Sequence, residues 1–220
     1  MNMIDQPDGK ETSATRTAYE AIREMILKGE LPAGEKLKIE QLRGMLDTGA
    51  SPVREALSLL TSDMLVERLD QRGFRASPAS LANFQEILGL RCVMEDMALR
   101  QSIARSTPEW EEQLVLTHHR MKRVSGAPEF EAAHKAFHMA LLNNADSPIL
   151  LRYCGQLYDL NIRFRYLAAA GTNYKARDIS AEHVVILEAA IAGEPDAAST
   201  ALMNHYRVTG EYLVGPLSDL

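Results

Sequence analysis

Apolar residues fall at helical spacing early in the chain, give way to short alternating runs, and then return to the helical period. Tyr19, Ile22 and Ile26 share one face of a helix over residues 17–27, and Gly29 ends it. Leu31-Pro32-Ala33-Gly34 is a turn, and Ile39, Leu42 and Leu46 mark a short second helix. Gly49-Ala50 breaks the chain. Ser51-Pro52 then reads as an N-cap serine with proline at the first helical position. On this third helix Val53, Ala56, Leu57 and Leu60 fall on the inward face, which turns Arg54, Glu55 and Ser58 outward. Residues 65–69 and 74–77 read as two strands around Asp70-Gln71-Arg72-Gly73, a hairpin whose glycine supplies a positive φ.

Three helices followed by a hairpin predict a winged helix-turn-helix over residues 15–77, preceded by a flexible arm at 1–14. The boundary falls near Ser77-Pro78. Beyond it the pattern predicts six helices, over 80–105, 108–125, 128–144, 148–169, 178–192 and 195–214, and no strand. Thr107-Pro108, Ser147-Pro148 and Pro195 after Gly193 mark three of the starts. Residues 79–216 are therefore expected to form an all-α antiparallel bundle, and the whole chain to be mainly α.

Composition narrows this little. A 46% hydrophobic, 25% charged chain of 220 residues has room for two small domains with real cores. The N-terminal residues are polar with no apolar run of a signal peptide, and no stretch approaches the ~20 residues that span a bilayer. Cys92 and Cys154, far apart and in no CxxC pair, read as reduced core thiols of a cytoplasmic protein. Charge does change the picture. The formal net charge is -6, yet residues 15–78 carry ten basic and ten acidic groups, so the acid excess lies mostly in the second part. A neutral module binds DNA only if its cations share a face, and dimerisation doubles its phosphate contacts.

A helix that enters the major groove needs an arginine near its N-terminal end, within reach of guanine O6/N7 or a phosphate. Arg54 holds that position, and the amide end of the helix with Ser51 suits a phosphate. Arg72 and Arg75 on the hairpin are placed for the adjacent minor groove, and Lys36, Lys38 and Arg43 for the backbone.

All six histidines lie in the second part. The adjacent His118 and His119 read as surface residues. His134 and His138 stand four apart beside the apolar stripe Phe130, Phe137 and Leu141. His183 precedes Gly193 by ten residues and His205 follows it by twelve, so a helical hairpin about Gly193 brings them to one height. Four convergent imidazoles suit Zn²⁺, Ni²⁺ or a similar divalent cation. Arg91 and, less directly, Arg163 are the candidate effector anchors, because an inward arginine needs an anion. An internal acid such as Glu95, one turn on from Arg91, is the alternative partner.

The run from Tyr19 through Gly34, then Ala50-Ser51-Pro52-Val53-Arg54-Glu55-Ala56-Leu57 and a hairpin ending Gly73-Phe74, resembles the winged-helix domain of the GntR superfamily. Ala50 stands where members usually carry a further basic residue, so one expected DNA contact is missing. Residues 79–220 resemble the FCD ligand-binding domain of the FadR subgroup. The resemblance implies a metal site at Phe137-His138, His183 and His205, with His134 where aspartate is usual. It also makes Arg91 a candidate carboxylate partner. The combination of motifs is similar to the CsiR-type branch, which implies a small dicarboxylate such as glutarate.

The expected protein is a homodimeric regulator, a repressor more readily than an activator, that reads an inverted repeat in double-stranded DNA under control of a carboxylate. A metal-sensing regulator is the alternative. A metal-dependent enzyme is disfavoured, since Glu131 and Glu182 are expected to point away from the histidines and leave no general base.

Overall fold

The computed structural model describes residues 13–70, 72–125, 127–168 and 178–218. Most of the expected arm at 1–14, Gln71 of the hairpin turn and the last residue of the expected helix 148–169 lie outside the described residues. The chain separates into two compact units, Met1–Pro78 and Ala79–Leu220.

In the first unit α1 (Ala14–Leu27), α2 (Ile39–Leu46) and α3 (Ala50–Ser62) accompany an antiparallel sheet of β1 (Lys36–Leu37), β2 (Val66–Leu69) and β3 (Gly73–Ala76). The strand order is β1-β3-β2. Strand β1 is not foreseen by the sequence pattern, because two residues show no alternation. It is defined by its partner, with Lys36 opposite Arg75 and Leu37 opposite Phe74. Helix α1 begins at Ala14 because the Ser13 hydroxyl accepts the Arg16 N–H. The expected cap of α3 is corrected. Gly49 is the N-cap, and Ser51 lies inside the first turn with its hydroxyl 3.2 Å from Glu55 Oε1. Ala18, Ile22 and Ile26 of α1 are buried, as are Val53, Ala56, Leu57 and Leu60 of α3, and the two helices pack together. Each of the valine, leucine and isoleucine side chains contributes about 1.5–3 kcal/mol. Tyr19 is only half-buried, and its hydroxyl donates to Asp63 at 2.7 Å. Gly73 takes the positive φ (94°) that the hairpin requires.

The second unit runs α4 (Leu81–Ala104), α5 (Pro108–Arg123), α6 (Ala127–Leu142), a 3₁₀ turn at Asn143–Ala145, α7 (Pro148–Ala168), α8 (Ile179–Ile191) and α9 (Pro195–Leu217). Side chains of Ser80, Thr107 and Asp178 cap α4, α5 and α8. Helix α4 packs on α6, α7 and α9, while α5 packs on α6 and α8. Gly193 at φ 71° turns α8 back along α9, and these two helices pack along each other. Leu99, Leu114, Phe137, Leu141, Ile186 and Leu202 are all fully buried in one cluster. Inside the same unit, Arg91, Glu95, Asn161 and five of the six histidines are also buried. No described helix is long and apolar enough to cross a membrane.

Candidate DNA-binding surface and candidate metal centre

The packing of α1 on α3 leaves one face of α3 in solvent. Arg54 lies on that face and is exposed, as are Ser51, Lys36, Lys38 and Arg72. Among the described residues, Lys36, Lys38, Arg54 and Arg72 have no ion-pair partner. The other two expected contacts are neutralised in place: Arg43 pairs with Glu40 and Arg75 with Glu67, each at 2.6 Å. The exposed Arg68 on β2, beside Phe74 of β3 in the sheet, was not singled out by the sequence. Glu55 accepts from Thr15 Oγ1 at 2.8 Å and from Ser51, which ties the start of α1 to the start of α3.

In the second unit His134, His138, His183 and His205 converge, and each offers one donor atom within 4.8 Å of the others. All four are at least 96% buried: 3%, 1%, 1% and 4% exposed in that order. The His134 and His138 Nε2 atoms stand 3.2 Å apart. Donors around a tetrahedral divalent ion are ~3.4 Å apart, so modest ring rotations would close the set. His183 Nε2 is buried without a hydrogen-bond partner. An imidazole nitrogen in that state costs energy unless something meets it. The residues present therefore fit a metal ion.

Outer partners orient the rings. Tyr206 donates its hydroxyl hydrogen to Glu95, so its oxygen accepts from His138 Nδ1 at 2.9 Å. The Glu182 carboxylate accepts from His205 Nδ1 at 2.7 Å. Both bonds leave Nε2 as the lone-pair nitrogen, the form a metal ligand needs. His134 Nδ1 lies 2.6 Å from the Tyr158 hydroxyl, with Arg165 Nη1 at 3.5 Å. Burial first, followed by Arg165 for His134 and by the other three histidines for His138, holds these two rings well below the usual imidazole range; burial brings His183 down to about 3. These three rings are neutral at pH 7, as coordination requires. Burial likewise raises the Tyr158 and Tyr206 hydroxyls, so both stay protonated.

Arg91 is the hub beside this cluster. Its Nε donates to Glu95 Oε1 at 2.5 Å and its Nη1 to Asn161 Oδ1 at 3.1 Å, and it lies over the rings of Tyr206 and Tyr158 at 4.1 and 4.6 Å. Burial pulls this guanidinium down, but Glu95 and the two tyrosines more than offset that and raise it. The internal acid is thus present, yet Arg91 Nη2 and Asn161 Nδ2 remain buried without partners. A cavity of ≈ 10 Å³, about enough for one water, is lined by Arg91, His134, Asn161, Arg165, His205 and Tyr206 among others.

Two expectations are corrected here, the direction of the two glutamates and the exposure of His118. Glu182 faces the cluster through His205, and Glu131 is joined to it through Arg165, which it meets at 2.7 Å. Both follow from helix faces that single-residue neighbours do not reveal. His118 is buried rather than surface, with its ring 5.4 Å from that of Phe137, and burial lowers its pKa. Arg163 is buried on α7, where burial lowers it to about 10, but it is not among the residues lining the cavity; Arg165 is. The signal for α7 was available in Tyr158, Asn161 and Arg165, which are spaced i, i+3, i+7 as a polar stripe.

Residues 14–75 match the family model of bacterial regulatory proteins of the gntR family, and residues 86–208 match that of the FCD domain. The chain is 32% identical to BphR of Paraburkholderia xenovorans, an uncharacterized HTH-type transcriptional regulator, over 90% of this chain and 84% of that protein. It is 28% identical to the HTH-type transcriptional repressor GlaR of Escherichia coli, over 90% and 94%. The solved structure of E. coli McbR/YncC superposes with a TM-score of 0.80 at 20% identity, covering 92% of this chain and 97% of that one.

Proposed function

The chain belongs to the GntR family of bacterial regulatory proteins and carries an FCD domain, a DNA-binding transcriptional regulator and not an enzyme, and we propose that it is a homodimeric repressor released by a small carboxylate. Arg54, Ser51, Lys36, Lys38 and Arg72, joined by Arg68, meet one half of an inverted-repeat operator. His134, His138, His183 and His205 hold a divalent cation such as Zn²⁺ or Ni²⁺, which supplies a Lewis-acidic point for the effector.

One observation carries the effector class. The cavity beside the histidines presents two buried, unpartnered N–H groups, Arg91 Nη2 and Asn161 Nδ2, and both atoms can only donate. A group that accepts on two oxygens satisfies both, and a carboxylate is such a group. Charge supports the same reading. Arg91 is matched by Glu95 and Arg165 by Glu131, leaving Glu182, among the described residues, as the one further carboxylate on the histidines. A divalent cation would leave about one positive charge unmet, which favours an anion.

The cavity is too small for a dicarboxylate such as glutarate without side-chain movement. That favours control, because a ligand shifts an equilibrium only by binding one arrangement more tightly than the other. The test is a thermal shift of metal-loaded protein against mono- and dicarboxylates, glutarate included. A ligand at ~100 times its Kd adds about 2.7 kcal/mol. A selective rise that is lost in Arg91→Lys is the expected result. A flat panel, with operator affinity that follows metal alone, would make the metal the signal.

A further inference from the structure

The cavity beside the histidines has two unlike ends. Phe84, Leu88 and Arg91 line it from one face of α4, at i, i+4 and i+7, and Tyr206 and Gly210 line it one turn apart on α9. One end carries the buried N–H groups of Arg91 and Asn161. The other carries Phe84, Leu88, Thr209 and Gly210 and gives an anion no donor, because the Thr209 hydroxyl donates to the His205 carbonyl at 2.7 Å. Phe84 belongs there to a small apolar cluster with Phe164 and Leu213, apart from the main core of the unit. Arg165, the other arginine on the cavity wall, is matched by Glu131 at 2.7 Å.

Gly210 sets the width of the apolar end. A Cβ at that position would stand 2.7 Å from Leu88 Cδ2, closer than side chains pack, so Leu88 lies against the backbone of α9 only because a glycine is there. A glycine inside a helix is otherwise unfavourable relative to alanine. Leu88 is half-buried, whereas Arg91, Asn161 and Tyr206 are buried, so the apolar end is the outer one and Leu88 is its movable wall.

The geometry points to an effector with one carboxylate and an apolar tail. The carboxylate goes inward to Arg91 and Asn161, and the tail lies between Phe84, Leu88 and the bare backbone at Gly210. A second carboxylate at the outer end would lose hydration with no donor to replace it. The inference rests on the carboxylate reading above. It narrows the class to apolar monocarboxylates and makes Leu88 and Gly210 the residues that set tail size.

The experiment is isothermal titration calorimetry, backed by thermal shift, of the full chain loaded with Zn²⁺. The probes are acetate, propionate, pentanoate, benzoate and glutarate; pentanoate and glutarate differ in a terminal methyl against a second carboxylate. Affinity is expected to rise about fourfold for each methylene from acetate to pentanoate, with glutarate well below pentanoate. Gly210→Ala forces Leu88 into the outer end and should lower the pentanoate-to-acetate affinity ratio about tenfold. Leu88→Ala widens that end and should raise the benzoate-to-acetate ratio. Circular dichroism melts check that both variants fold, and the length series on the parent chain stands without them. Binding by none of the five acids would overturn the carboxylate reading and this one with it. Glutarate as tight as pentanoate, or affinity flat along the series, keeps a carboxylate effector and overturns the apolar tail. Folded variants that change all five affinities by one common factor would overturn the placement of the tail at Leu88 and Gly210.

Discussion

On the winged unit, Lys36, Lys38, Arg54 and Arg72 stand in solvent without ion-pair partners among the described residues, whereas in the helical unit Arg91 is buried against Glu95, Asn161 and two tyrosine rings. The first arrangement keeps cations hydrated and available for a polyanion, so it costs the fold almost nothing. The second takes a charge out of water and holds it only through a connected network. A surface site can lose a residue and keep its fold. A buried site cannot, because every removed partner leaves another group stranded. The largest difference between the units should therefore appear on cutting that network. Glu95→Ala strands Arg91 and removes the acceptor of Tyr206, and breaking a buried pair costs about 3–5 kcal/mol. At ~2–4 °C per kcal/mol for a chain this size, the melting temperature should drop by roughly 6–20 °C. A melt unchanged within a degree would mean that the network does not support the fold.

Acid should separate the two units next. In the folded chain His134 and His138 are held well below the ordinary imidazole value and His183 at about 3, chiefly by burial. Above about pH 6.5 these rings are neutral whether the chain is folded or not, and they add no pH dependence. Below it the unfolded chain takes up protons that the folded chain refuses. Stability must then fall as pH drops from about 6.5 toward 3. The winged unit has no histidine and should not share this slope. Urea midpoints at pH 7.5, 6 and 5 test it, and saturating Zn²⁺ should raise all three midpoints without changing the slope, because the folded rings hold no proton for the metal to displace. Equal midpoints across that range would show that the rings are not held neutral.

The same contrast explains what could be read from the sequence. The winged unit is built from local signals: an apolar face, a cap region, a glycine turn and an outward Arg54. Its one unforeseen element, β1, is two residues that exist only through pairing with β3. In the helical unit the element order and the four histidines were legible, since each is a matter of spacing along one or two helices. Their partners were not. Tyr158 and Arg165 come from α7, Glu95 from α4 and Tyr206 from α9, and which of them meets which histidine is decided by packing. The same cause misled the reading of Glu182 and of His118, whose neighbours lie on other helices.

Arg54→Ala is expected to move function without moving stability. A good bidentate base contact is worth ~1–3 kcal/mol, and a two-fold dimer loses two of them. Operator affinity should fall on the order of 100-fold while the melt and any carboxylate shift stay as in the parent. Electrophoretic mobility shifts on operator and scrambled DNA distinguish base reading from phosphate binding. An equal loss on both DNAs would make Arg54 a phosphate contact.

The smallest effect is the sharpest probe of the surface side of the comparison. Arg75 is exposed enough to reach DNA but pairs with Glu67 across β2 and β3 at 2.6 Å, with both side chains about 40% exposed. Such a pair is worth ~0–1 kcal/mol, so Glu67→Gln should leave the melt nearly unchanged. If the hairpin lies against the duplex, the change frees one cation per protomer. Nonspecific affinity should then rise several-fold at low salt, and the dependence of log K on log salt should steepen by about 0.9 for each added phosphate contact. Discrimination between operator and random DNA should not change, because a phosphate contact carries no sequence information. An unchanged salt slope would return Arg75 to the sheet as a cross-strand partner, and leave Arg72 as the hairpin's cation for DNA.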